Sequence, residues 1–156
     1  MRKRITAFQS AATTKADDRW LDVERIATVE VSSEDSQSLV ESALRFEKEP
    51  GWRAADAGEQ QIRLIFDQPV SLRRIHLRFD DREHERTQEF TLKWHSAEGG
   101  PAKEIVRQQW NFSPSGSDVE TEDYAVNLDG VFVLELAITP DISRAAVASL
   151  TEWRMA

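Results

Sequence analysis

An antiparallel β-sandwich is the fold class this sequence predicts, and three observations predict it. Apolar residues recur at every second position in Ile62-Leu64-Phe66, Ile75-Leu77-Phe79, Phe90-Leu92-Trp94, Tyr124-Val126-Leu128 and Phe132-Leu134-Leu136-Ile138, with polar or charged side chains in most of the gaps. That period belongs to strands with one face in a core and the other in water. Asp129-Gly130 joins two such runs and is a strong signal for a tight hairpin. No long helical pattern interrupts the series, so the expectation is an all-β jelly roll of about eight mainly antiparallel strands.

Taken in order, residues 1–22 lack a sustained period and read as an N-terminal arm, with a single sandwich domain over 23–156. A first strand runs through Ile26-Ala27-Thr28-Val29-Glu30-Val31 and stops at the polar Ser32-Ser33-Glu34-Asp35-Ser36. Ser33 is placed to cap a short turn or helix through Leu39-Val40 and Ala43-Leu44. Glu49-Pro50-Gly51 closes that excursion, and Trp52 follows. Further strands are expected near 59–66, 72–79, 88–95, 103–110, 122–128, 131–139 and 147–154. A hairpin across 80–87 would oppose Ile75 to Leu92 and Leu77 to Phe90. On its reverse face Arg74 would meet Lys93, His76 would meet Thr91, and Arg78 would meet Glu89.

Composition excludes several function classes. With no cysteine, disulfides, thiolate catalysis and cysteine-based zinc sites are ruled out. A net charge of −8 opposes non-specific attraction to nucleic acid or to an anionic membrane, so neither is expected as a partner. No apolar run approaches the length of a bilayer span. The basic start Met1-Arg2-Lys3-Arg4 gives way too soon to polar residues to form a signal peptide, and a cytoplasmic location is expected.

The order of segments resembles a known family. Val29-Glu30-Val31-Ser32-Ser33 is followed by Val40-Glu41-Ser42-Ala43-Leu44 and then Gly51-Trp52-Arg53-Ala54. Next come Gln60 to Phe66, a proline, Leu72 to Phe79, and a closing strand around Ser149-Leu150-Thr151-Glu152-Trp153. Over roughly residues 25–155 this resembles the galactose-binding-like (discoidin, or coagulation-factor C-type) β-sandwich. The resemblance implies a jelly roll whose end loops hold sugars, lipid head groups or other proteins. It also implies a calcium site in an Asp-Gly-rich loop, where this chain has Arg45-Phe46-Glu47-Lys48-Glu49-Pro50 instead. No cofactor is therefore expected, although Glu47 and Glu49 would be the oxygen ligands if calcium were held.

If successive strands alternate in direction, segments 33–51, 80–87, 111–118 and 140–147 share one end. These are the longer and chemically richer connections, which makes that end the expected binding surface. Asp80-Asp81-Arg82-Glu83-His84-Glu85-Arg86-Thr87 is the most polar tract in the chain. Arg82, His84, Arg86 and Asn111 are the expected hydrogen-bonding residues, and Trp110 the expected stacking surface for a sugar. The plainer alternatives are a solvated turn for 80–87, a core plug for Trp52, and either face for Trp110. Outward Arg74, His76 and Arg78, with Arg63 and Lys93 beside them, form a local basic stripe that either neutralises nearby acids or meets a partner.

No catalytic residues are expected. His76, His84 and His95 are the only near-neutral proton carriers, and none stands in a nucleophile, zinc-helix or phosphate-loop motif. The leading expectation is a non-catalytic module that binds carbohydrate. A cytosolic protein-interaction module on the same fold is the alternative, and self-association through the Arg74–Arg78 face is a third.

Overall fold

The computed structural model describes residues 20–45 and 50–156. The N-terminal arm, up to residue 19, and both Glu47 and Glu49 lie outside the described residues. A single helical turn, α1 (Val23–Ile26), leads into β1 (Ala27–Val31), and another, α2 (Glu41–Leu44), precedes β2 (Trp52–Ala57). Six strands follow: β3 (Gln60–Asp80), β4 (Arg86–His95), β5 (Lys103–Phe112), β6 (Val119–Thr139), β7 (Val147–Leu150) and β8 (Glu152–Met155).

The ribbon made by β3 and β6 sets the architecture. Each strand runs for 21 residues, and they pair antiparallel from Gln60 opposite Ile138 to Asp80 opposite Val119. The register shifts between Ile65 and Arg74, around exposed Asp67, Gln68 and Pro69. Proline has no N–H for the ladder, and each register shift bends the strand. The ribbon folds over there, so each long strand contributes to two layers. The expected Asp129-Gly130 hairpin does not form: 122–128 and 131–139 run on as one strand whose two halves both pair with β3 and not with each other.

One layer has the order β1, the start of β3, the end of β6, β4 and β5. The other has β8, the end of β3 and the start of β6, while β2 and β7 form a separate pair. Phe79 from one layer stacks on Phe90 from the other, with ring centroids 5.3 Å apart. The alternation read from the sequence fills the space between them. Ile62, Leu64, Phe66, Leu72, Ile75, Leu77, Phe79, Phe90, Leu92, Leu134, Leu136 and Ile138 are all buried. Full burial of such a side chain contributes about 1.5–3 kcal/mol each before the entropy of ordering it is subtracted.

This arrangement corrects the expected 80–87 hairpin. The strands on either side of it lie in different layers. Ile75 pairs with Tyr124 and Met155, and Leu92 pairs with Val106 and Leu136. Alternation fixes which face is buried but not which strand lies alongside. Apolar opposition is satisfied equally by β6 and by β4.

The expected strand at 147–154 is likewise two strands. Thr151 breaks it, its N–H donating to the Arg78 carbonyl and its hydroxyl to Asp80. β7 therefore pairs with β2, a strand not expected at all, while β8 pairs with β3. Ser33 caps no helix: α2 begins after Val40 without a side-chain cap. The Ser33 hydroxyl instead donates to Gln60 at 2.8 Å and accepts the Ala55 N–H at 3.1 Å. Trp52 is the expected plug, buried and donating its indole N–H to the Ser33 carbonyl at 3.0 Å.

The outward basic stripe is neutralised in place. Arg74 and His76 both reach Asp123, His76 also faces Glu152, and Arg78 holds Asp80 through two bonds. Arg63 lies elsewhere, between Glu30 and Glu135. Trp20 covers part of the stripe, with the Arg74 guanidinium 4.6 Å from its ring.

Candidate functional site

Because the ribbon folds over, the connections after β3, β5 and β6 meet at one end. Asp81 N–H donates to the Asp118 carbonyl, Ile142 N–H to Thr87, and Gly58 N–H to Ala146. The Arg144 guanidinium donates to the Glu85 carbonyl at 3.1 Å. Arg53 joins the group, its backbone held by Asp35 and Ser38 of the 33–51 segment.

Two carboxylates organise this end. Asp81 accepts the backbone N–H groups of Glu83 and His84 at 2.9 and 3.1 Å, lies 3.2 Å from the His84 ring, and accepts Arg86 Nε at 2.7 Å. Burial works to raise its pKa, but the Arg86 bond, the two N–H groups and the guanidinium charge outweigh it, so the carboxyl titrates below the ordinary range. Asp141 takes the same role in the 140–146 loop. It accepts Ser143 N–H at 3.2 Å and Arg144 Nε at 3.0 Å, and it too is held low against the opposing effect of burial.

These anchors frame two adjoining depressions. One, of about 300 Å³, is lined by Arg53, His84 and Ala145 to Val147. The other, of about 460 Å³, is lined by Thr87, Asn111, Phe112, Ser113 and Ser143. Both share Glu85, Arg86, Asp141 and Arg144. Their volumes fall in the range of small-ligand sites.

The expected site residues separate by role. His84 lines the first depression and is exposed. Asn111 lines the second, and its Oδ1 accepts the Thr87 hydroxyl at 2.7 Å, which turns its NH₂ outward. Arg82 is 72% exposed, reaches Asp118 only at 3.9 Å and lines neither depression.

Arg86 lines both depressions yet is a buried structural side chain. It donates to Asp81, to Gln88 at 3.1 Å and to the Pro140 carbonyl at 2.7 Å, and its guanidinium lies 4.5 Å from the Phe112 ring centroid. Trp110 lines neither depression. It occupies the same face of β5 as Phe112, half-buried against the core, so it offers no platform at this mouth.

Arg53, Asp141 and Arg144 were not singled out from the sequence. A signal for the latter two exists in Asp141-Ile142-Ser143-Arg144, where an Asp accepting from the residue two positions on marks a turn. Arg53 carries no local signal, because only the folded chain brings β2 to this rim.

Behind the mouth lies a buried polar chain. Gln88 accepts from Arg86 and donates to Glu120 at 3.2 Å, and both Gln88 and Glu120 are fully buried. Burial, with Glu122 alongside, pushes the Glu120 carboxyl up to about 9, so it is protonated at neutral pH. Among the described residues no group of acids and histidines is arranged to hold a metal ion.

No protein-family model matches the sequence, and no match was found among curated proteins. Solved structures do match. A CBM32 domain of a family 31 glycoside hydrolase from Clostridium perfringens superposes with a TM-score of 0.66 at 15% identity, over 92% of this chain and 98% of that one. The chain has the galactose-binding-like, discoidin-type fold. Another galactose-binding-like neighbour is the family 32 carbohydrate-binding module of C. perfringens NanJ, solved in complex with galactose. Its TM-score is 0.60 at 15% identity, covering 87% of this chain and 96% of that one. The chain is also similar to XRCC1, solved bound to the catalytic domain of DNA polymerase β, with a TM-score of 0.59 at 17% identity over 85% of this chain and 95% of that one.

Proposed function

We propose that this protein is a non-catalytic carbohydrate-binding module whose site is the pair of depressions at the loop end. The observation that carries the proposal is the set of hydrogen-bonding groups on their lining. Arg53, His84, Asn111 and Arg144 converge there, His84 oriented by Asp81 and Arg144 by Asp141. Donors fixed in direction by a second set of bonds suit a ligand that presents hydroxyl and ring oxygens in fixed directions. The galactose complex of a neighbour with this fold supports the reading. The lining also favours binding over chemistry. His84 faces Asp81, whereas Ser143 donates to Asp141 and Ser113 faces Ser115, so no serine is paired with the imidazole.

The test is calorimetric titration of the chain with a panel of mono- and oligosaccharides, repeated with His84→Ala and Arg53→Ala. Both residues are exposed at the mouth, so the variants keep the fold while binding weakens. A protein-interaction module is the second reading, favoured by the neighbour solved on a polymerase domain. A stoichiometric protein complex that survives His84→Ala and Arg53→Ala, with no saccharide bound, would decide for that reading.

A further inference from the structure

On the carbohydrate reading above, which this step presupposes, we infer that the preferred saccharide carries an anionic substituent, a uronate carboxylate being the plain case, received by Arg53 and Arg144. The first ground is which donors remain uncommitted. Arg53 is exposed and has no side-chain hydrogen bond or ion pair among the described residues. Arg144 is fixed in plane through Nε to Asp141 and through Nη2 to the Glu85 carbonyl, which leaves Nη1 uncommitted on a side chain 70% exposed. A guanidinium held in that way presents its Nη1 donor in a fixed plane, and a charge-assisted bond from it to a carboxylate is roughly twice as strong as a neutral one.

The second ground is which acids remain uncommitted. The Asp141 and Asp81 side chains are 3% and 10% exposed and already hold Arg144 and Arg86. Asp81 lines neither depression, so Glu85 is the one acid besides Asp141 on either lining, and it opposes an anion.

The third ground is the lack of an exposed ring. Phe112, the only phenyl or indole ring on the linings, is buried beneath the Arg86 guanidinium, and Trp110 is elsewhere. Neutral sugars gain much of their affinity by laying an apolar face on an aromatic ring. Here the apolar contacts offered are Ala145, Ala146 and Val147 on one wall and the half-exposed Ile142 on the same loop. Recognition therefore falls to charge-assisted hydrogen bonds.

The experiment titrates the full chain with three trisaccharides in parallel: tri-galacturonate, its neutral galactose counterpart and a sulfated galactose counterpart. The expected result is binding of the uronate at least about tenfold tighter than the neutral sugar, the ratio given by one hydrogen bond to a charged group. Arg53→Ala should lose most of that ratio with an unchanged Tm, and Glu85→Gln should tighten the uronate about two- to fivefold by removing the opposing charge. Tight binding of the sulfated arm alone would keep the anionic inference and identify the group as a sulfate ester. Equal or tighter binding of the neutral sugar overturns the inference and leaves the carbohydrate reading standing. No binding of any saccharide, across these three and the wider panel, overturns the carbohydrate reading itself.

Discussion

Replacing Arg86 with alanine separates a structural role from a binding role. The side chain is 4% exposed and donates to Asp81 at 2.7 Å, to the Pro140 carbonyl at 2.7 Å and to Gln88 at 3.1 Å. Alanine removes the cation that neutralises Asp81 and strips a donor from Gln88, which is fully buried. It also uncovers the face of Phe112. Breaking one partner out of a buried ion pair costs about 3–5 kcal/mol. The lost bond to Gln88 belongs to the same network, so the costs overlap and are not summed. For a domain of this size that loss lowers Tm by roughly 6–20 °C. Urea unfolding followed by tryptophan fluorescence, with calorimetric Tm in parallel, measures it. Arg86→Lys keeps the charge without the fork and should fall between the two. A loss for Arg86→Ala below about 1 kcal/mol, the level of a solvent-exposed pair, would refute the buried-network account.

Other perturbations read other parts of the fold. Gly51 has φ +92°, and a Cβ there would lie 2.4 Å from the Leu150 carbonyl oxygen, so Gly51→Ala should cost about 2–4 kcal/mol in urea unfolding. Gly58→Ala, at φ +95° in open space, should cost only about 1 kcal/mol, from backbone strain alone. Glu120 is protonated when folded and ionised when unfolded between the ordinary glutamate range and about 9. The unfolded chain binds fewer protons across that window, so stability falls as pH rises through it, and Glu120→Gln should flatten the decline in a pH series of unfolding curves. His76 is raised, chiefly by its hydrogen bond to Glu152 and, against burial, by Asp123. Its contribution is complete below the ordinary histidine value and is lost as pH rises through the folded value. An imidazole NMR titration should place its midpoint above the ordinary histidine range.

The alternation was enough to determine the inward residues of β3, β4 and β6, because a half-buried strand cannot tolerate a one-residue slip without turning its charges inward. The chain order of the segments was enough to point to the galactose-binding-like fold. Asp81 and Arg86 stand in a tract read as functional from its polarity, yet their commitment to one another was not legible. Five residues of separation do not state whether a guanidinium points to solvent or folds back over Phe112. Trp110 shows the same limit, since its position on β5 is ambiguous until the start of β6 is placed in the opposite layer.

The sequence by itself determined the class of fold, the buried face of the long strands and the general polarity of the rim, because these follow from local period and local chemistry. Alternating strand direction already placed 80–87, 111–118 and 140–147 at one end, where they meet. The tertiary structure alone decided that β3 and β6 bend as one ribbon, that Arg53 reaches that mouth, and which side chains there are held by Asp81 and Asp141. Strand pairing between distant segments is chosen by global packing: many pairings bury an apolar face equally well, and only the folded chain selects the one that fills the interior.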